Sequence, residues 1–442
     1  MSDGPRRLRV AVATGVIAIL AAACGSSTPS ASPSATAAPP VSSPSAAPSA
    51  SAPSGSPAAG SSATPDPNLG ATYDLVESQV VAIRGLQPKK PVARAFIDEA
   101  QLRTMLTAEF DADSPPEYVA ANERLYKALG LIPADADLRT STLDLLSGGV
   151  AAFYKDDEGK LYVVSKAGGS DVIDRFYFAH EYDHALQDQR WTVFKDQHGI
   201  LDQGDRMLAR LAVYEGDSTL LMTQWAAADL DQSELLELVA ASNDPEAVAA
   251  MNRAPAIMRE SLVYPYTTGL GFVQGVYAEG GWAGVDALYD RMPESTEQIL
   301  HPKKYAANEA PVKVTLPADL ATRLGSGWTV PFQDTFGEFQ LGVWLREGGV
   351  KRAAAADAAA GWGGDRLAVM DGPNGTWAVA MKTVWDTAAD AAAFETAATT
   401  ALAKAGGVAH VLPGEGGKIR WVVVGSDAST LSLVAGVLGL AG

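Results

Sequence analysis

Two of the five histidines in the chain stand four residues apart, in the run Ala179-His180-Glu181-Tyr182-Asp183-His184-Ala185-Leu186-Gln187-Asp188-Gln189-Arg190. On a helix, residues at i and i+4 share a face with Cβ atoms about 6 Å apart, so both imidazoles reach one zinc ion at about 2.0–2.1 Å per bond. The spacing therefore predicts a helix over 170–189, and Ser170 as N-cap with Asp171 and Asp174 in the first turn supplies the start of one. Glu181 is one step round from His180, where a carboxylate can take a proton from zinc-bound water and pass it to a leaving amine. With 5 His and 52 acids in 442 residues, this register arises by chance in fewer than about one in a hundred such chains.

A catalytic zinc needs a third protein ligand and one open position. A histidine six residues after His184 would complete one known pattern, but Arg190 stands there. His198, in a Gly- and Asp-rich loop, is one candidate. Glu215 is the better one: it sits within an apolar helical face formed by Leu208, Leu211, Ala212, Thr219 and Met222, where an unpaired carboxylate is costly and a cation is its natural partner. The alternative is a surface-facing or salt-bridged glutamate. Gly216 beside it, unfavourable in a helix by about 1 kcal/mol, signals close approach of another backbone. Asp183 is either a group behind the ligands or a solvent-facing acid, and Asp188, two turns after His180, either orients a histidine or ends the helix in a salt bridge. Asp217, two residues from Glu215, points away from it on an ideal helix.

The motif His180-Glu181-Tyr182-Asp183-His184 with a glutamate on a later helix resembles the gluzincin class of zinc metallopeptidases. The continuation Ala185-Leu186-Gln187-Asp188-Gln189, the Glu215-Gly216-Asp217 step, Pro265-Tyr266, Gly280-Gly281-Trp282 and Ser295-Thr296-Glu297-Gln298-Ile299-Leu300-His301-Pro302 resemble a poorly characterised family of bacterial and archaeal surface proteins of that type. The likeness spans roughly 145–440. It implies Zn2+ held by His180, His184 and Glu215, Glu181 as general base, and a peptide or protein substrate. Asp183 departs from the neutral Thr common there. A donor for the developing oxyanion is also needed; His301 is the leading candidate, with Tyr264, Tyr266 and Tyr305 behind it. Ser295 to Gln298 also reads as a capping box, with His301-Pro302 ending that short helix.

Around this motif the composition narrows the possibilities. The formal net charge is -18, without the basic footprint needed to bind nucleic acid. Cys24 is the only cysteine, which excludes an internal disulfide and a thiolate metal site. Arg6, Arg7 and Arg9, an apolar stretch over 10–20 and Ala21-Ala22-Ala23 before Cys24 read as a secretion signal, too short to span a bilayer. They resemble a bacterial lipobox, with Cys24 lipidated and the protein anchored at the cell surface. Residues 1–23 are then lost and the charge becomes -20. Residues 25–70 hold 14 Ser, 11 Ala and 10 Pro, no aromatic and one charge, Asp66. Such a segment cannot bury enough apolar surface to offset chain entropy and reads as a tether with a contour on the order of 140 Å.

The expected fold class is α+β: a mostly helical, zincin-like body with a β-hairpin or edge strand, followed by a smaller C-terminal α/β domain. The expected divisions are a signal peptide (1–23), a tether (24–70), a catalytic domain (71–310) and the α/β domain (311–442). Residues 71–148, with Phe96, Ala100, Leu102 and Leu106 at helical spacing, read as a helical lead-in; 149–165 reads as a hairpin whose strand 149–154 either packs in the core or holds an extended substrate. Helices are expected over 205–228, 267–279, 282–289, 338–347, 388–405 and 428–440, and strands over 367–370, 377–384 and 419–424. Residues 361–366, which lack the GxGxxG order, read as a tight turn, and His410 as a structural residue near a strand end. The activity expected is a cell-surface zinc metallopeptidase; the alternative is a surface lipoprotein that keeps the fold without turnover.

Overall fold

The computed structural model of the chain describes residues 67–147, 150–164, 171–193, 202–242 and 245–440. The signal segment, Cys24, most of the tether, Gly149, Ser170 and His198 lie outside the described residues. The protein is α+β, a mainly helical body followed by a unit built on a five-stranded sheet.

The first helix, Pro67–Arg84, already takes in the last residues of the stretch assigned to the tether. It lays Tyr73, Val76 and Val80 against Phe178 and Tyr182 of the motif helix, Asp171–Trp191. Strands β1 (Ala93–Ile97), β2 (Ala152–Lys155) and β3 (Lys160–Val164) form a small sheet in the order β1-β3-β2. The β2–β3 hairpin is the expected one, antiparallel with Phe153 opposite Tyr162. β1, which runs parallel to β3, departs from the helical reading of this region. Pro91 precedes it and the Asp98–Gln101 capping box of the helix Glu99–Asp113 follows at once, so Phe96 lies on a segment too short to be a helix. Its backbone instead satisfies the second edge of strand β3, buried from Leu161 to Val164.

The glutamate helix, Gly204–Asp229, packs on the motif helix and on a π-helical turn, Pro265–Gly269, that leads into the helix Leu270–Asp290. Gly216 and Gly269 make that packing possible. A Cβ on Gly216 would lie 2.6 Å from the Gly269 carbonyl oxygen, and one on Gly269 would lie 2.3 Å from that of Ala212. The helix Leu270–Asp290 breaks at Gly281, with φ 59°, where the sequence places Gly280-Gly281.

Strands β4 (Thr329–Asp334), β5 (Trp362–Asp371), β6 (Trp377–Trp385), β7 (Val408–Pro413) and β8 (Ile419–Gly425) form an antiparallel sheet in the order β4-β5-β6-β8-β7. Alternation sorts their side chains: Leu367, Val369, Val379 and Met381 face the helices Gly337–Glu347, Arg352–Ala359 and Ala388–Ala401, while Ala368, Met370, Ala378 and Ala380 face Leu320–Leu324 and Ala428–Val437. The first face also receives Ala121, Leu125 and Ala128 from the body helix Pro116–Ala128, so one apolar core crosses residue 310. The turn expected at 361–366 is instead the start of β5, bulged between Trp362 and Gly364. Its glycines admit a crossing backbone, with Val312 N–H donating to Gly363 O at 2.7 Å. The unforeseen β4 and β7 are the sheet edges, only partly buried, where apolar patterning is weakest; His410 lies within β7.

The two glycine contacts predict opposite responses to the same substitution. Gly216→Ala should destabilise the protein by about 1–3 kcal/mol through overpacking, whereas Gly271→Ala, with nothing within 4 Å of the added carbon, should gain up to about 1 kcal/mol of helix propensity. Denaturant unfolding of the two variants checks both signs.

Candidate metal centre

The motif helix is buried on every side from Phe176 to Gln187. Its polar residues His180, Glu181, Asp183, His184 and Gln187 must therefore find partners inside the protein. Three of the sequence candidates converge: His180 Nε2 lies 3.0 Å and His184 Nε2 3.2 Å from Glu215 Oε2, and the two Nε2 atoms are 3.0 Å apart. Atoms bound tetrahedrally at 2.0–2.1 Å would be about 3.3 Å apart, so this buried group could hold a metal ion.

The charges point the same way. Burial drives His180 towards its neutral form. Burial also opposes charge on His184, but the Glu215 carboxylate pulls its pKa up, and the two histidines hold Glu215 down despite its own burial. Glu215 thus requires a positive partner; a divalent cation is one that leaves both imidazoles neutral, as ligands must be.

Glu181 comes to the centre from the same helix. Its Oε2 accepts the Tyr154 N–H at 2.9 Å, while its Oε1 is buried with no hydrogen-bond partner. Complete burial is the main cause that pushes its pKa up to about 8. Tyr154 also donates its hydroxyl to Asp188 Oδ2 at 3.0 Å, so Asp188 ties the hairpin to the helix. β2 is one of the two sheet edges by pairing, yet its residues Ala152, Phe153 and Tyr154 are buried, as in a core strand.

Behind the ligands runs a buried network that sequence reasoning only partly foresaw. Asp183 faces inward: its Oδ2 accepts from Gln187 Nε2 and from Ser218 Oγ, both at 2.9 Å. Arg84, at the end of the first helix, grips Asp217 with two bonds of 3.0 Å, meets Asp286 at 2.8 Å, and lies 3.8 Å from Asp183. Its guanidinium lies 4.5 Å from the centre of the Trp282 ring, and Tyr289 donates to Asp217 at 2.6 Å. Burial works against the charge of Arg84, but Asp217 and Asp183 raise its pKa above the ordinary value. Arg84 lies about a hundred residues from the motif, and nothing in its sequence surroundings marks it. Gln187 stood within the resemblance without a role.

The structure does not bring His301 to this group. Its Nε2 is 2.8 Å from Glu338 Oε1, and it lines a cavity of about 520 Å³ with Tyr264, Glu338 and Phe339 that includes none of the three converging residues. Among the tyrosines, Tyr264 donates to Thr296 O and Tyr305 to Arg291 O. Tyr266, on the π-helical turn, has its ring centroid 6.0 Å from that of His180. The Ser295–His301 run is a joint: Ser295 caps the helix Thr296–Leu300, and Thr296 binds Asp205 in the first turn of the glutamate helix while accepting from Phe339 N. A second acidic cluster, Glu297, Glu309 and Asp386, closes on Lys304 Nζ at 2.6, 2.9 and 2.7 Å, so an ammonium already stands where the three carboxylates converge.

Residues 323–435 match a family model described as a domain of unknown function, DUF8575. No curated protein matches the chain. Among solved structures, one described as "Crystal structure of a putative hydrolase with a novel fold from Chloroflexus aurantiacus" is similar at 17% identity and a TM-score of 0.35, over 54% of this chain and 88% of that one. At that score the likeness transfers neither fold nor activity.

Arg84→Met should cost about 3–5 kcal/mol, because it leaves buried carboxylates without their cation. Arg84→Lys, which keeps the charge but not the paired bonds, should fall between it and wild type in denaturant unfolding.

Proposed function

We propose that the protein is a zinc-dependent metallopeptidase held at the cell surface. The observation that carries this reading is the convergence of His180, His184 and Glu215 beside a glutamate, Glu181, whose second oxygen is buried and unpartnered. Two neutral imidazoles and one carboxylate are a donor set that suits zinc and leaves a fourth position open. A zinc ion held there supplies Lewis acidity and lowers the pKa of a water ligand to about 7. Glu181 Oε2 is fixed by the Tyr154 N–H, which leaves Oε1 to take a proton and return it to the leaving amine. Tyr266, on the turn packed against the glutamate helix, replaces His301 as the candidate oxyanion donor.

The polypeptide substrate follows from the resemblance of the motif set to gluzincins. The surface location follows from the arginines at 6, 7 and 9, the apolar run and Ala21-Ala22-Ala23 ahead of Cys24, a lipid on which would anchor the chain through its tether. Among the described residues no helix is long and apolar enough to cross a membrane.

One observation favours a second reading, a structural metal centre in a non-catalytic lipoprotein: His180 and Glu181 are 0%, His184 3% and Glu215 4% exposed, and structural zinc sites are closed ones. Three measurements test these readings, and the cleavage assay separates them. The purified protein should carry about one zinc per chain, lost in His180→Ala and Glu215→Ala. Glu181→Gln should keep the metal and abolish cleavage of a broad peptide library; equal processing by wild type and this variant would sink the enzyme reading, and no cleavage by wild type together with a lower melting temperature on zinc removal would favour the structural one. Cys24→Ser should move the protein from the membrane fraction to the medium.

A further inference from the structure

One end of the Gln187 side chain is surrounded by oxygen. Its Nε2 lies 2.9 Å from Asp183 Oδ2, 2.9 Å from Ser218 Oγ and 3.3 Å from the Tyr214 carbonyl. A carboxylate and a carbonyl can only accept hydrogen bonds, so the amide nitrogen must lie at this end. Ser218 spends its own proton on Asp183 Oδ2, so its oxygen accepts from Gln187 and lies 3.2 Å from His184 Nδ1, which it also faces as an acceptor. The other end, Oε1, then faces His184 Nδ1 at 3.0 Å as a pure acceptor. That forces the proton of a neutral His184 onto Nδ1 and leaves the lone pair of Nε2 directed at His180 and Glu215. The opposite tautomer would point an N–H at the place where a metal must bind. Gln187 follows His184 by three residues, so one helical face carries both ligand and support. Behind Asp183 stands Arg84, itself fully buried and bonded twice to Asp217.

We propose that Gln187 is the positioning residue of the metal centre: its amide, oriented by Asp183 with Ser218 and Arg84 in support, holds His184 as the tautomer that ligates through Nε2. This rests on the metal reading above. It adds a determinant of metal affinity drawn from outside the converging group.

The test compares zinc dissociation constants, by chelator competition, and cobalt(II) visible spectra for the purified wild type, His180→Ala, Gln187→Leu, Gln187→Glu and the pair Gln187→Glu with Asp183→Asn. Gln187→Leu should weaken zinc binding by about 10–100-fold and shift the cobalt bands. Gln187→Glu alone sets one carboxylate against another and should weaken binding too. Adding Asp183→Asn reverses the polarity of the pair: the new amide at 183 donates to the new carboxylate at 187, which still accepts from His184, and most of the loss should be recovered. A purely packing role for Gln187 predicts no such rescue. Unchanged affinity and spectrum in Gln187→Leu, or a double variant no better than Gln187→Glu, overturns the proposal. Should Gln187→Leu fail to fold, the Gln187→Glu pair decides alone. Wild-type zinc binding that is absent, or unaffected by His180→Ala, refutes the metal reading itself, which keeps the two failures distinct.

Discussion

Charge buried on a single helix organises this protein. Between Phe176 and Gln187 every residue of the motif helix is buried, yet the segment carries two histidines, two acids and an amide. Each would be costly there alone. Arg84 answers on one side, a cation enclosed by Asp183, Asp217, Asp286 and aromatic rings. On the other side His180, His184 and Glu215 bring three side-chain atoms within 3.0–3.2 Å of one another, an arrangement that could hold a metal ion. Gln187 joins the halves, in contact with both Asp183 and His184.

Backbone geometry determines whether those side chains meet. Glu215 reaches the histidines because its helix lies close along the motif helix, and it stays there because the π-helical turn presses on its other side through Gly216 and Gly269. The hairpin contributes a main-chain donor: Tyr154 N–H orients Glu181. The Ser295–His301 run, one of the motifs behind the family resemblance, anchors the start of the glutamate helix through Thr296 and Asp205 and meets the sheet unit through His301 and Glu338. The unit matched by the domain of unknown function is thus joined to the body by a shared apolar core and by this polar joint.

Much of the architecture was legible because it is local. The i, i+4 histidines, the helix around Glu215, the helices expected from 338, 388 and 428, the hairpin and the break at Gly281 all follow from spacing, capping and glycine, whereas the helix Arg352–Ala359 was not foreseen. Elements whose stability comes from a distant partner were not. β1 exists because β3 has a second edge to fill, β4 and β7 are sheet edges with weak patterning, and the start of β5 is a strand because Val312 crosses its glycines.

The sequence alone determined the fold class, the helix that carries the histidine pair and the chemistry that pair can support, because helical periodicity makes neighbours of residues four apart. Only the tertiary structure decided the rest. It brought Glu215 to the histidines and turned Asp183 inward. It assigned Arg84 and Gln187 to the network and left His301 with Glu338. Those pairings join groups on separate elements, and a buried charge takes its partner from whatever packing places within reach, a choice that no local pattern in the chain records.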